Sequence, residues 1–358
     1  MWIQLLITAL LVALLPLGLV WLSKDVSKHR KLIAVTLFLT FDLIVFGAFT
    51  RLTDSGLGCP DWPGCYGAAN PFQSHAAIKA AQDLMPTGPV TVKKAWIEMI
   101  HRYLAMAVGV LILVQMISAW RNRRQSQHSP WLPTFLLFFV CLQGAFGAWT
   151  VTLKLQPLIV TVHLLLGMGL LALLAWSLAR ESRTSIGVRI TRGRTEKKLV
   201  WMAGIAFMLL VVQIGLGGWV STNYAALACH DYPLCNGEIA PVMDFEHGFT
   251  LWRQLGQTAQ GDYLPFAALV AIHWVHRGFA WLVIGAVAWV ALLARKTSRF
   301  RSLGNKMLLA ILFQWLTGVA TIFFSWPLLI AVLHNAGAAL LVLLLTMLNY
   351  RARQVSVT

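Results

Sequence analysis

Apolar residues along this chain form nine long runs, separated by polar segments that are mostly short. A membrane-crossing helix needs roughly 20 consecutive apolar residues, and each run is about that long. The pattern therefore predicts an all-α polytopic membrane protein with nine crossings. The first run has no basic segment before it and no small-residue cleavage site, which favours a retained helix. The runs lie at about 2–22, 32–52, 98–120, 131–151, 158–178, 199–221, 266–293, 307–325 and 328–350.

Composition and charge agree with this class. The chain is 58% hydrophobic and 12% charged, with a mean hydropathy of +0.70, which excludes a soluble domain of this length. Its net charge of +16 comes from Lys and Arg in short loops between the runs. That placement follows the positive-inside rule and predicts no nucleic-acid partner. It predicts a multi-pass membrane protein with the N-terminus outside and the C-terminus in the cytoplasm.

The chain contains an internal repeat. Its halves match at an offset near 171 residues, and both enter the membrane in the same sense. We therefore expect two parallel-repeat four-helix transmembrane bundles plus one extra N-terminal helix. The predicted domains are the extra helix and its loop (1–31), a first bundle (32–179), a basic linker (180–198) and a second bundle (199–358). Matched pairs are Gly47 with Gly217, Cys59 with Cys229, Cys65 with Cys235, Gln143 with Gln314, Gly147 with Gly318 and His163 with His334.

Ionisable groups inside the runs are functional candidates, because burying them at membrane depth is costly. Glu98 and His101 are three residues apart and share one helix face. In the second half His276 corresponds to His101, whereas His273 stands opposite Glu98. For Asp42, near the middle of the second run, we expect a buried, neutral, hydrogen-bonded side chain, with a proton relay as the alternative.

Two histidines in each bundle occupy matched positions within the apolar runs. They are His101 and His163 in the first bundle and His276 and His334 in the second. Facing imidazoles are the usual axial ligands of haem, and helix bundles hold cofactors between facing side chains. Structural zinc fits poorly, because neither bundle offers four ligands at membrane depth. The sequence thus predicts one haem site per bundle, with a carboxylate beside only the first.

Four of the five cysteines form two close pairs with identical spacing. Cys59 and Cys65 lie in one loop, and Cys229 and Cys235 lie in another. Charge places both loops outside, where disulfides persist, so the pattern favours two disulfides over a zinc site formed by all four thiolates. Cys141 stands alone within an apolar run.

The motifs together resemble the haem A synthase family, membrane enzymes that convert haem O to haem A for cytochrome oxidase. The resemblance covers both repeats and leaves out the first run. It depends on residues 50–59 (TRLTDSGLGC), Trp62-Pro63 with Cys65, residues 98–102 (EMIHR), His163, His276-Arg277 and His334-Asn335.

The resemblance implies an oxidoreductase acting on a CH group (EC 1.17.99-type), which oxidises one haem methyl group to a formyl group. It implies that His101 and His163 bind the substrate haem O, that Glu98 is the catalytic acid, and that the iron of a permanent haem b is held by His276 and His334. Haem O would be delivered by a haem O synthase. The electron partner, the oxygen source and homo-oligomerisation stay open.

Two alternatives predict the same four histidines. A di-haem membrane cytochrome that exchanges electrons with quinone would give Glu98 no role, and a haem carrier would do no chemistry. One mechanistic question also stays open: if His101 and His163 both bind iron during turnover, no coordination position is left for oxygen.

Overall fold

The structure, a computed structural model, describes residues 1–24, 27–124, 129–181 and 194–353, with backbone alone for 194–197. Nine helices in these ranges are long and apolar enough to cross a membrane, which confirms the predicted fold class. Two short helices lie in the long loops. In chain order the helices are α1 Trp2–Leu22, α2 Lys28–Leu52, α3 His75–Leu84, α4 Val92–Arg121, α5 Trp131–Thr152, α6 Pro157–Glu181, α7 Arg194–Thr222, α8 Phe245–Gly248, α9 Phe266–Arg295, α10 Ser298–Phe323 and α11 Leu328–Arg353.

Several helices continue beyond the apolar runs that predict them. The hydroxyl of Thr91 accepts a hydrogen bond from Lys94 N–H at 3.2 Å and starts α4 before residue 98. The basic stretch at the start of α10 is also helical, because Arg, Lys and Leu are good helix formers. Helix also covers both ends of the predicted basic linker (180–198), whose residues 182–193 lie outside the described part.

Contacts divide the chain into two compact units. The first unit comprises Met1–Leu155 with Gly169–Ser182. Its core brings together four helices, since α4, α5 and α6 supply buried side chains and α2 packs against them. Such packing is the main attraction between helices in a membrane, where the surroundings are as apolar as the side chains. The buried core residues are Val108, Ile112, Leu136, Leu170 and Leu174.

The extra helix α1 belongs to this first unit and packs against α4 and α2. Its Leu5 is buried in one cluster with Cys59 and Cys65. Near its N-terminus, the ring of Trp2 meets the ring of Trp62 edge-on, with centroids 6.1 Å apart. Helix α1 therefore supports the cysteine-containing loop of the first unit.

The second unit comprises Gln156–Met168 with Arg183–Thr358. Helices α7, α9, α10 and α11 form a closed ring in which each packs against the next and α11 returns to α7. The Asn349 side chain on α11 donates to Ala203 O on α7 at 3.0 Å. The sequence repeat assigns α6 to the first bundle as a whole, whereas the contacts divide that helix after Met168.

Candidate functional site

Each unit carries one loop that is closed by a disulfide. The first cysteine loop (residues 59–65) is closed by Cys59–Cys65 and the second (residues 229–235) by Cys229–Cys235. All four cysteines are buried. Both predicted disulfides are therefore confirmed, and the alternative of a shared zinc site is wrong, because each sulfur is bonded within its own loop.

Glu98 anchors the first cysteine loop to α4. Its side chain is buried, with 4% of the residue exposed. Oε2 accepts a hydrogen bond from Cys59 N–H at 2.8 Å, and Oε1 pairs with the Arg102 guanidinium at 2.5 Å. A carboxylate offers about four acceptor positions, so these two contacts leave further lone pairs for a proton.

Arg102 fixes the far end of the same loop. Its Nη1 lies within hydrogen-bond distance of three backbone carbonyls, at 3.0 Å from Asp61, 3.2 Å from Pro63 and 2.6 Å from Gly64. The ion pair with Glu98 thus joins two anchor points of the loop. Breaking a buried ion pair by removing one partner leaves the other charge uncompensated, so the two side chains form one structural element.

The second unit anchors its loop with a different side chain at the matching position. His273 is buried, and its Nδ1 accepts the Cys229 N–H at 3.2 Å. Arg277 Nη2 donates to Pro233 O at 3.3 Å and to Leu234 O at 2.9 Å. The position of Glu98 therefore has a structural role in both repeats. The difference between the repeats is that the first performs this role with a carboxylate.

An aspartate closes the turn after each cysteine loop. Asp231 accepts the N–H groups of Asn236 at 2.6 Å and Gly237 at 2.9 Å. Asp61 makes the same pair of bonds to the two residues after Cys65. The hydrogen bond from Gly237, followed by that from Asn236, lowers the pKa of Asp231. Because the folded pKa is lowered, this contribution to stability is present at neutral pH and is lost as the pH falls through that pKa.

Three of the four candidate ligand histidines face a glycine on a neighbouring helix. A Cβ added to that glycine would lie 2.9 Å from His101 Nε2, 3.0 Å from His276 Cε1 or 3.1 Å from His334 Cε1. A Cβ essentially never comes closer than 3.0 Å to another atom, so a larger residue at Gly47 would displace the His101 imidazole. At Gly217 and Gly318 the contact would be unusually tight, and the imidazoles would have to shift by a few tenths of an ångström. The facing glycines are Gly47, Gly217 and Gly318.

Polar side chains hold both imidazoles of the second unit. Gln213 Nε2 on α7 lies 3.1 Å from His276 Nδ1. Gln314 Nε2 on α10 lies 3.1 Å from His334 Nε2, and Thr317 Oγ1 lies 3.0 Å from His334 Nδ1. Sequence reasoning missed Gln213 and Thr317, although a glutamine within an apolar run is itself a signal.

The histidines predicted for the first site belong to different compact units. His101 lies on α4 in the first unit, where the ring of Phe46 stacks at 6.2 Å. His163 lies in the part of α6 that groups with the second unit. Their joint binding of one haem stays a prediction.

Asp42 is not in a core, and the prediction of a buried, hydrogen-bonded side chain is wrong. Its side chain is exposed on α2. Thr40, two positions earlier, is buried and bonds back to Thr36 O at 2.8 Å. Two helical positions turn the side chain by about 200°, which directs Asp42 away from the face that packs.

Comparison with known proteins assigns the chain to a family. The family model COX15-CtaA, described as cytochrome oxidase assembly protein, matches residues 30–346. The chain belongs to this family. The haem A synthase of Shewanella oneidensis is 36% identical over 321 residues, which is 89% of this chain and 95% of that protein. The haem A synthase of Caulobacter vibrioides is 28% identical over 355 residues, or 92% and 98%.

The match to the cytochrome oxidase assembly family begins after α1. Helix α1 is thus additional to the matched region, as the sequence repeat predicts. Both cysteine loops and all four candidate ligand histidines fall inside the match.

The residues of the second unit fit a bound haem. Gly217 and Gly318 let the imidazoles of His276 and His334 lie close against the neighbouring helices. Ligand imidazoles usually donate their second ring N–H to an acceptor, and the Thr317 hydroxyl oxygen is in position to be that acceptor for His334 Nδ1. In the first unit, Gly47 lets His101 lie equally close to α2.

Alkylation of the cysteines tests the two disulfides. Treatment of denatured but unreduced protein with a maleimide should label one cysteine of the five. That cysteine is Cys141, which is exposed and unbonded on α5. Mass spectrometry of peptides after a second label under reducing conditions should place the other label on all four loop cysteines. Labelling of a loop cysteine before reduction would contradict the structure.

The facing glycines give a second prediction. On the prediction that these histidines bind haem, Gly217→Ala should lower the haem content at His276, and Gly47→Ala should weaken haem binding at His101 alone, because the new Cβ presses on each ring. Haem per protein is measured from the pyridine haemochrome spectrum. Gly285→Ala on α9 is the matched control, since nothing lies within 4 Å of its Cβ position. Because alanine is the better helix former, loss of haem only at the facing glycines cannot come from weaker helices.

Proposed function

We propose that this chain is a haem A synthase, which oxidises one methyl group of haem O to a formyl group. The observation that carries the proposal is the match to a relative of that name along 89% of the chain. Both cysteine loops, with their anchors and facing glycines, lie within the region matched by the family model.

The balance of the reaction states what the protein must supply. With water as the oxygen source, R–CH₃ + H₂O gives R–CHO with release of four protons and four electrons. The site that holds haem O therefore needs a proton acceptor, and it needs an oxidant that removes the electrons. We assign His101 and His163 to the iron of the substrate haem O.

Glu98 is the proton acceptor in this proposal. It lies one helical turn from His101 on the same face of α4, which brings its carboxylate to the side of the imidazole. Its two oxygens are held by Cys59 N–H and Arg102, so the group is fixed in place while lone pairs stay available. The second unit has His273 at this position and no carboxylate.

The second unit holds a permanent haem b in this proposal. When bound, haem b supplies one-electron redox chemistry. His276 and His334 would hold it, on α9 and α11 of the closed ring of helices. Because both lie within one compact unit, this haem has a rigid setting and can stay in place while substrate and product exchange.

We also propose the bacterial inner membrane as the location, with the cysteine loops and the N-terminus outside. Basic residues at the opposite helix ends support this orientation under the positive-inside rule. The longest described group of them is Arg295, Lys296, Arg299, Arg301 and Lys306, between α9 and α10. A haem O synthase in the same membrane would deliver the substrate.

Expression in a bacterial host that makes haem O but no haem A tests the proposal. Total haem is extracted and separated by chromatography, and haem A should appear only in cells that express the chain. His101→Ala serves as the inactive control. Cells that contain the protein with bound haem but only haem O in the extract would favour a di-haem cytochrome or a carrier.

A further inference from the structure

The second unit contains polar contacts to its ligand imidazoles at positions where the first repeat has apolar residues. At the offset that matches Gly47 with Gly217, Gln213 stands opposite Leu43. At the offset that matches Gln143 with Gln314, Thr317 stands opposite Phe146. Neither Leu43 nor Phe146 has a side-chain hydrogen-bonding group. The repeats thus share their histidines but differ in these two side chains.

The hydroxyl of Thr317 determines which nitrogen of His334 carries a proton. A hydroxyl has one proton, and both Phe313 O at 2.9 Å and Gln314 O at 3.1 Å lie in position to accept it. Towards His334 Nδ1, at 3.0 Å, Thr317 Oγ1 is therefore the acceptor, and Nδ1 carries the proton. The lone pair of the neutral imidazole is then on Nε2.

Nε2 is the nitrogen that has to bind a metal. Its neighbour is Gln314 Nε2, an amide donor at 3.1 Å, which agrees with a lone pair on the ring nitrogen. The Gln314 Oε1 atom is buried and lacks a hydrogen-bond partner among the described residues. The Gln314 amide is therefore incompletely bonded, whereas the bond to Thr317 is on the side of the ring away from the metal.

Gln213 contacts the other ring in a different way, as a donor. Its Nε2 lies 3.1 Å from both Nδ1 and the backbone O of His276. The backbone oxygen can only accept, so an N–H group of the Gln213 amide faces His276. Gln213 therefore holds the His276 side chain in place but does not accept a proton from its ring.

We propose that Thr317 is a positioning residue that orients the His334 imidazole of haem b and lowers the reduction potential of that haem, while Gln213 holds the His276 imidazole in place. This inference depends on the proposed haem b site. A ligand imidazole whose Nδ1–H bonds to an oxygen is a stronger base, and a more basic ligand favours ferric over ferrous iron.

Reduction potentials and electron paramagnetic resonance spectra of haem b test this. The full-length protein is purified from a host that makes no haem O. Thr317→Val keeps the shape of the side chain without the acceptor, and it should shift the potential to more positive values and change the g values of the ferric haem. Gln213→Leu installs the residue of the first repeat and should change the g values through the orientation of His276. Thr317→Ser keeps the hydroxyl group and should have the potential and the g values of the unaltered protein.

The controls separate this role from packing. Thr321 is one turn further along α10, and its hydroxyl group bonds to Gly318 O at 2.6 Å and to no other described residue, so Thr321→Val should change neither measurement. Loss of haem in Thr317→Val, with haem retained in Thr317→Ser and Thr321→Val, would also support the proposal, because a less basic imidazole binds the haem iron less tightly. An unchanged potential and spectrum in Thr317→Val would overturn it, as would equal loss of haem in Thr321→Val. A protein that contains no haem b, or that keeps it unaltered in His334→Ala, would overturn the haem b site itself.

Discussion

Glu98→Gln is expected to abolish most formation of the formyl product while the protein still folds and keeps haem b. General acid–base groups contribute about 10²–10⁴-fold in rate, so the conversion should fall by that range. The amide retains an oxygen that can accept the Cys59 N–H, so the first cysteine loop keeps one anchor. It cannot accept a proton from the substrate at neutral pH. Haem A per protein, measured by chromatography of extracted haem, gives the rate.

The loop-anchoring role of this position requires a matched control. His273→Gln makes the corresponding change in the second unit, where the side chain accepts the Cys229 N–H. It should leave conversion largely unchanged. If Glu98→Gln instead lowers protein yield or leaves Cys59 and Cys65 free to react, its role is structural. If Glu98→Gln makes haem A at the normal rate with the loop intact, Glu98 is not the proton acceptor.

Removing the ligand histidines should divide the four into two classes. His276→Ala or His334→Ala should remove most haem b from protein purified without haem O. This loss should be larger than the effect of removing a residue that only hydrogen-bonds to a metal ligand, which typically lowers the affinity for the metal roughly 10–100-fold. His101→Ala or His163→Ala should leave haem b in place and abolish conversion. Spectra of the purified variants, together with haem extraction after haem O is supplied, measure both effects.

The haem content of these variants also tests the assignment of the units. Depletion of haem b in His101→Ala, with retention in His276→Ala, would mean that the two sites are exchanged. Equal depletion in all four would mean that the sites do not bind separately. His247→Ala is a suitable control, because that histidine lies in the loop of the second unit and bonds to Asp244.

The sequence was sufficient for the fold because its main signals are local. Nine apolar runs specify nine crossings, and the repeat specifies how the helices correspond. Two features were not readable in this way. The helical continuation of α4 back to Val92 depends on a cap and on good helix formers outside the apolar run. The exposure of Asp42 depends on which face of α2 packs, and apolarity on all sides of a membrane helix gives little information about that face.

The sequence predicted the candidate ligand histidines and the cysteine pairs, but it did not predict the side-chain contacts that hold them in place. Matched histidines and cysteines can be found by comparing the halves of one sequence. The anchoring of Cys59 by Glu98 joins residues 39 positions apart, which no local pattern reveals. Thr317 and Gln213 escaped notice for a related reason, since their importance lies in a difference between the repeats.

The most direct test of the central claim is haem analysis of the purified protein before and after addition of haem O with an electron acceptor. The account predicts that the amount of haem b stays constant while haem O is replaced by a product that has gained one oxygen and lost two hydrogens. Mass spectrometry of the extracted haems identifies each species. Two results would contradict the account. Haem O could stay unchanged in protein that has an intact site and retains both haems, or haem b could be converted in place of haem O.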